Sequence, residues 1–336
     1  VKLLLPLVLP CLLACGLPAP TVSAEEAQRL SALAAEVDPV RLEEDVRALV
    51  RAHQADTPLP LTELGVLQPR SNPRIEALNG HLTHERAREH VRERLQALGY
   101  TVREHRSGEG LFETRNLVAE LRGGVHPEQV VLFAAHYDAF YAGADDNSTG
   151  VAALLELARV AAGHRFERTV RFVAFDLEEL GLLGSARYVE EALAPGELAV
   201  AVVMDCLGFT APTQGSIPGV STRTVGDFVT FSGNGPSEPY AAELWALDAA
   251  LGVLPAVSAL APGGGATALT GSLMRSDHAP FWLREQPALL LTDTASFRNP
   301  HYHTPEDTVD TLDLPFFTRV VRLAAAGMGR WAGGPL

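Results

Sequence analysis

Three apolar runs in this chain stop abruptly at ionisable side chains. Val130–Ala135 runs into His136-Tyr137-Asp138, Thr169–Phe175 into Asp176-Leu177-Glu178-Glu179, and Val200–Met204 into Asp205. Unbroken apolar runs of this length fit strands covered on both faces. Helical patterns lie between and after them, over Gly150–Ala162, Gly184–Leu193, Tyr240–Leu251 and Leu312–Trp331. Tyr100–Glu104, Leu117–Leu121 and Ala288–Leu291 read as further strands. Upstream, Glu25 to His53 carries Leu42, Val46, Leu49 and Val50 at helical spacing, with Asp38-Pro39 as a start signal. Thr83 to Leu98 reads as another amphipathic helix, ended by Gly99. This alternation implies an α/β fold: a three-layer sandwich whose mixed, mostly parallel central sheet is flanked by helices. No linker interrupts residues 25–336, so they read as one domain.

Charge narrows the classes of partner. The 336 residues carry a formal charge of −14, with no basic stripe to neutralise phosphates, which argues against nucleic acid. Three cysteines cannot make a disulfide framework. Val1 to Cys15 places one lysine before an apolar run too short to span a bilayer. Its end, Leu12-Leu13-Ala14-Cys15, resembles a bacterial lipoprotein box. The expectation is a signal peptide over 1–14, a tether over 15–24, and export to the cell envelope with a lipid on Cys15 as the sole membrane contact. A secretory signal cut near Ala24 is the alternative. Either way Cys206 is the one thiol left in the folded part, which should be free of disulfides and monomeric.

In open α/β sheets, ligands gather beyond the carboxyl ends of strands, so the three ionisable endings should converge. Two loops add to them: Gly143-Ala144-Asp145-Asp146-Asn147 before a helix, and Pro300-His301-Tyr302-His303-Thr304-Pro305 before the last helix. Imidazoles and carboxylates crowded at one sheet edge call for a cation. The mixture suits zinc, or manganese and cobalt less selectively. A bridged pair of metal ions needs about five ligands and a free base, which this set supplies. Other signatures fail. His84-Glu85 opens an HExxH pattern that Arg88 breaks, and His90 lies too far round a helix to share a metal with His84. Those histidines are expected on a solvated helix face. No G-x-S-x-G elbow is present, and Gly263-Gly264-Gly265 reads as a loop rather than a phosphate cradle.

Taken in order, HYD, GADDNSTG, DLEELGLLGS, MD and YHTPEDT resemble the dinuclear zinc aminopeptidases of metallopeptidase family 28, over roughly residues 75–330. The resemblance implies the zinc-exopeptidase fold and two zinc ions per chain. It makes His136 and Asp205 ligands of one metal, Glu179 and His303 ligands of the other, and Asp146 the bridge. Glu178 becomes the general base, Asp138 the acceptor of the second ring proton of His136, and Tyr302 an oxyanion donor. A cis peptide after Asp146 is implied as well. The pattern is broken at Asp176-Leu177, where small residues are usual, without expected damage to ligation. Ser276-Asp277-His278-Ala279-Pro280-Phe281 recurs near the family's substrate channel. Asp277 is therefore a substrate-site candidate, or else an N-cap. Phe281, Trp282, Met274 and Phe209 could line an apolar pocket or simply pack the core. The activity implied is removal of N-terminal residues from peptides. Alternatives are a same-fold carboxypeptidase, a glutaminyl cyclase working with one zinc, and a non-catalytic envelope binding protein.

Overall fold

The structure is a computed structural model that describes residues 20–61, 78, 80–217, 220–261 and 271–336. The expected signal peptide over 1–14 and the loop at Gly263-Gly264-Gly265 lie outside the described residues, as do residues 15–19 of the tether.

Helix α1 spans Ala24–Ala35 and α2 spans Pro39–Ala55, so the apolar stretch read from Glu25 is two helices. The break is chemical: the Asp38 carboxylate accepts from Val40 N at 2.9 Å, and Pro39 opens the new helix. A short β1 (Leu82–Thr83) leads into α3 (Glu85–Ala97). Then follow β2 (Arg103–Ser107), β3 (Thr114–Leu121), β4 (His126–His136), β5 (Ala139–Phe140), α4 (Gly150–Ala162) and β6 (Arg168–Phe175). After these come α5 (Leu183–Glu191), β7 (Leu198–Met204), β8 (Val229–Gly233), α6 (Glu238–Leu251) and β9 (Ala256–Leu260). The chain closes with α7 (Ala279–Leu283), β10 (Ala288–Thr292) and α8 (Leu314–Ala332).

Eight strands form one sheet in the order β2-β3-β6-β4-β7-β10-β8-β9. The central four, β6-β4-β7-β10, are parallel. Pairings β2-β3, β3-β6 and β10-β8 are antiparallel. Strand periodicity divides the core cleanly. In β4, Val131, Phe133 and Ala135 face a large core shared with α1, α2, α3, α4, α6 and α8. Val130, Leu132 and Ala134 face a smaller one with Tyr188 and Val189 of α5 and Phe281 and Trp282 of α7. Burying a side chain such as Phe133 on either face stabilises by about 1.5–3 kcal/mol. This is the three-layer sandwich expected. Phe281 and Trp282 are packed in it, not in a substrate pocket.

The parallel strands all point their carboxyl ends the same way, and the loops there hold the ionisable groups. Gly150 permits a close approach: a Cβ on it would collide with the Met204 carbonyl oxygen at the end of β7. Asn147 secures the same junction, donating from Nδ2 to Met204 O at 3.0 Å.

Candidate active site

His136 ends β4, Glu178 and Glu179 follow β6, Asp205 follows β7, Asp146 precedes α4, and His303 sits in the loop before α8. The fold brings all six together. His303 Nε2 lies 2.9 Å from both Asp146 Oδ2 and Glu179 Oε1. His136 Nε2 lies 3.4 Å from Asp146 Oδ1 and 3.6 Å from Asp205 Oδ1. Asp146 thus turns one oxygen to each imidazole. The peptide bond after it is cis.

These close approaches are not hydrogen bonds. His136 Nε2, Asp146 Oδ2, Glu179 Oε1 and His303 Nε2 are buried and have no hydrogen-bond partner among the described residues. Leaving buried polar atoms unmade costs about 1–3 kcal/mol each, so such a cluster is tolerated only where something else satisfies it. The ligand atoms form two separate sets of metal-binding size, His136-Glu178-Asp205 and Asp146-Glu179-His303, and a third, Asp146-Asp205-Cys206, shares one residue with each. Two imidazoles and several carboxylates are the donor set that zinc takes. The residues therefore fit bound metal of the zinc type.

Electrostatics point the same way. Burial opposes charge on His303, yet Glu179 and Asp146 raise its pKa to about 10. His136 is likewise held well above the ordinary histidine range against burial, chiefly by Glu178. Burial pushes Glu179 up to about 7 and Glu178 well above the usual glutamate range. The cleft draws positive charge toward itself.

Behind the cleft, the expectation for Asp138 needs correcting. The ring nitrogen Nδ1 of His136 contacts the backbone carbonyl of Asp138 at 3.0 Å, and the carboxylate lies farther off at 3.5 Å. The Asp138 carboxylate instead accepts from the amides of Glu178 (3.0 Å) and Glu179 (3.1 Å), fixing the turn that carries both glutamates. Asp307, which the sequence reading passed over, does the same for the other loop. Its carboxylate accepts from the amides of Asp145 (2.9 Å) and Asp146 (3.2 Å). Asp145 accepts from Asn299 Nδ2 and Gly208 N, each at 2.9 Å. Both aspartates lie inside motifs already quoted; the missing signal was that a buried carboxylate needs several amide donors, which only the folded loops reveal.

The expected solvated face at His84 and His90 is also corrected. His84 is buried, its Nδ1 2.8 Å from Asp176 Oδ1, and His90 lies 3.4 Å from the buried Asp45. Asp176 accepts from Arg115 N at 2.9 Å, so the departure at this position is a buried bridge between α3, β3 and β6. Asp277 caps no helix, because His278 holds the N-cap position of α7 and no side chain caps that end. It is fully buried with both oxygens lacking a hydrogen-bond partner, and burial lifts its pKa to about 7. Tyr302 stacks on His303 with ring centroids 3.9 Å apart, and burial pushes its hydroxyl well above the tyrosine range. Phe209 is buried against His301. Met274 packs beside the smaller core. Cys206 is a free, buried thiol.

The sequence matches the family model of Peptidase family M28 over residues 116–328, more than half of the chain. The uncharacterized protein YfbL of Escherichia coli (strain K12) is 29% identical over 279 residues, 76% of this chain and 81% of YfbL. Aminopeptidase YwaD of Bacillus subtilis (strain 168) is 48% identical over 67 residues, a segment that makes up 19% of this chain and 14% of YwaD. The LapA aminopeptidase structure from Legionella pneumophila covers 95% of this chain and 78% of its own, with a TM-score of 0.62 at 18% identity, a likeness of fold.

Proposed function

The chain belongs to peptidase family M28, and from that premise we propose that it is a zinc aminopeptidase that removes N-terminal residues from peptides. The observation that carries this reading is the cluster of partnerless ligand atoms at the strand ends, with Glu178 beside it. His136 and Asp205 would hold one zinc ion, Glu179 and His303 the second, and Asp146 would bridge them. When bound, such a pair polarises a scissile carbonyl and lowers the pKa of the attacking water.

The protein's own groups do the rest. Glu178 takes a proton from the attacking water and returns it to the leaving amine. Burial raises its pKa, and the charges of Glu179 and Asp277 add to that, which makes its carboxylate a stronger proton acceptor. Asp138 holds the Glu178 amide and so orients the base. Tyr302 stays protonated and donates to the developing oxyanion. The free α-amine is held by carboxylates beside the zinc ligands, which limits cleavage to the peptide terminus.

A panel of aminoacyl chromogenic amides tests this, with N-acetylated and C-terminal substrates as controls. Free-amine amides should be cleaved, chelator should abolish cleavage, and zinc should restore it. Cleavage confined to C-terminal substrates would replace this reading with a carboxypeptidase; cyclisation of N-terminal glutamine with one zinc would replace it with a glutaminyl cyclase. We further propose export and a lipid on Cys15, tested by fatty-acid labelling that the Cys15→Ser variant should lose.

A further inference from the structure

A cavity of ≈ 70 Å³ opens beside Asp205 and Tyr302. Its floor is laid by β8 and β10, whose antiparallel register sets Thr230 opposite Thr292 and Ser232 opposite Leu290. The alternation that turns Val229, Phe231, Leu289 and Leu291 into the large core turns these four toward the cavity. The hydroxyls of Thr230, Ser232 and Ser276 are buried in its wall and have no hydrogen-bond partner among the described residues. An apolar occupant would leave all three unmade, whereas an oxygen-bearing occupant can accept from them.

Charge at the mouth selects further. Arg275 is the sole cation among the described residues that line the cavity, and Asp205, a zinc-ligand candidate, is the sole acid. Arg275 is exposed, makes no ion pair among the described residues, and donates from Nη1 to Ser296 Oγ at 3.0 Å. Its guanidinium sits over the Tyr302 ring, 5.9 Å from the centroid, which holds it at the entrance. A lone guanidinium above unsatisfied hydroxyl donors is complementary to a carboxylate and repels an ammonium group.

We propose that this cavity receives the side chain of the substrate's N-terminal residue and that the preferred residue is acidic, glutamate or aspartate. The inference rests on the aminopeptidase reading above. Arg275 pairs with the side-chain carboxylate, while Thr230, Ser232 and Ser276 donate to its oxygens. Arg275 acts at a solvated rim, so its effect is a moderate one that salt reduces.

The test is kcat/KM of the zinc-loaded full chain on glutamyl, glutaminyl, leucyl and lysyl chromogenic amides, at low and at high salt. Wild type should rank glutamyl first and lysyl last, with the glutamyl-to-glutaminyl ratio shrinking as salt rises. Arg275→Gln should cut the glutamyl-to-leucyl ratio by about tenfold, and Arg275→Glu should bring lysyl above glutamyl. The double variant Thr230→Val, Ser232→Ala should cut the same ratio without lowering Tm, because the hydroxyls it removes have no partners to lose. A leucyl- or lysyl-first order that Arg275→Glu leaves intact would overturn the acidic preference while leaving the aminopeptidase reading standing. If no free-amine amide is cleaved at all, both fall.

Discussion

Two sets of buried polar groups meet at the carboxyl ends of β4, β6 and β7, and they are bonded in opposite ways. In the set facing the cleft, His136 Nε2, Asp146 Oδ2, Glu179 Oε1 and His303 Nε2 have no hydrogen-bond partner although they crowd one another. In the set behind it, Asp138 and Asp307 each accept two backbone amides. Asp293 likewise accepts from Phe209 N at 2.7 Å and Ala295 N at 2.8 Å. The residue types are the same; the bonding separates groups left open toward the cleft from groups closed by backbone amides behind it. Asp277 belongs to neither set, being partnerless yet outside the ligand groups.

Substitutions in each set probe that division. The largest effect is expected at Glu178, which lies within metal-binding distance of His136 and Asp205 but which the proposal above assigns to the proton rather than to zinc. Glu178→Gln should lose about 1,000-fold or more in kcat while metal analysis finds the wild-type zinc content. Activity within a few-fold of wild type would remove Glu178 as the base. Next comes the rear set. Asp138→Asn keeps one acceptor for two amides, so kcat and zinc affinity should fall about 10–100-fold together. Should zinc affinity stay unchanged, the rear set would not aim the ligands.

A smaller change is expected from Asp176→Asn, which weakens the bridge to His84 and Arg115 without touching a ligand. Denaturant unfolding should show a loss of about 1–3 kcal/mol, with zinc content intact. The smallest effect tests Asp277, and its sign is fixed by linkage. Its folded pKa of about 7 is raised from 3.8 by burial, so the folded state binds the proton more tightly. Stability therefore falls as pH rises from the unfolded pKa through about 7, and the penalty is complete above that. In metal-free protein, Asp277→Asn should raise Tm by a few degrees at pH 8 and by little at pH 4. An equal shift at both pH values would show that the Asp277 carboxylate does not titrate in this window.

Much of the architecture was legible in the sequence because the central strands are apolar on both faces, as in Val130–Ala135 and Val200–Met204. The helix at Gly150–Ala162 was placed to the residue. Strands β8 and β9 were not found. In Val229–Gly233, hydroxyl residues alternate with Val229 and Phe231, so no continuous apolar run marks it. At the sheet edge, β2 lies three residues beyond its expected start, because Arg103-Glu104-His105-Arg106-Ser107 carries no apolar signal at all. The ligand candidates were legible as residues at strand ends. What Asp138 bonds, and the existence of a rear set including Asp307, depend on backbone amides that converge only after folding. His84 was misread for a related reason: its partner Asp176 lies 92 residues away.

We propose that the atoms left open toward the cleft hold a bridged pair of metal ions. Metal analysis of the purified chain beside an Asp146→Ala variant is the test. About two zinc ions per wild-type chain are expected, with both lost or greatly weakened when Asp146 is removed. One zinc per active wild-type chain, or two that persist in Asp146→Ala, would contradict it.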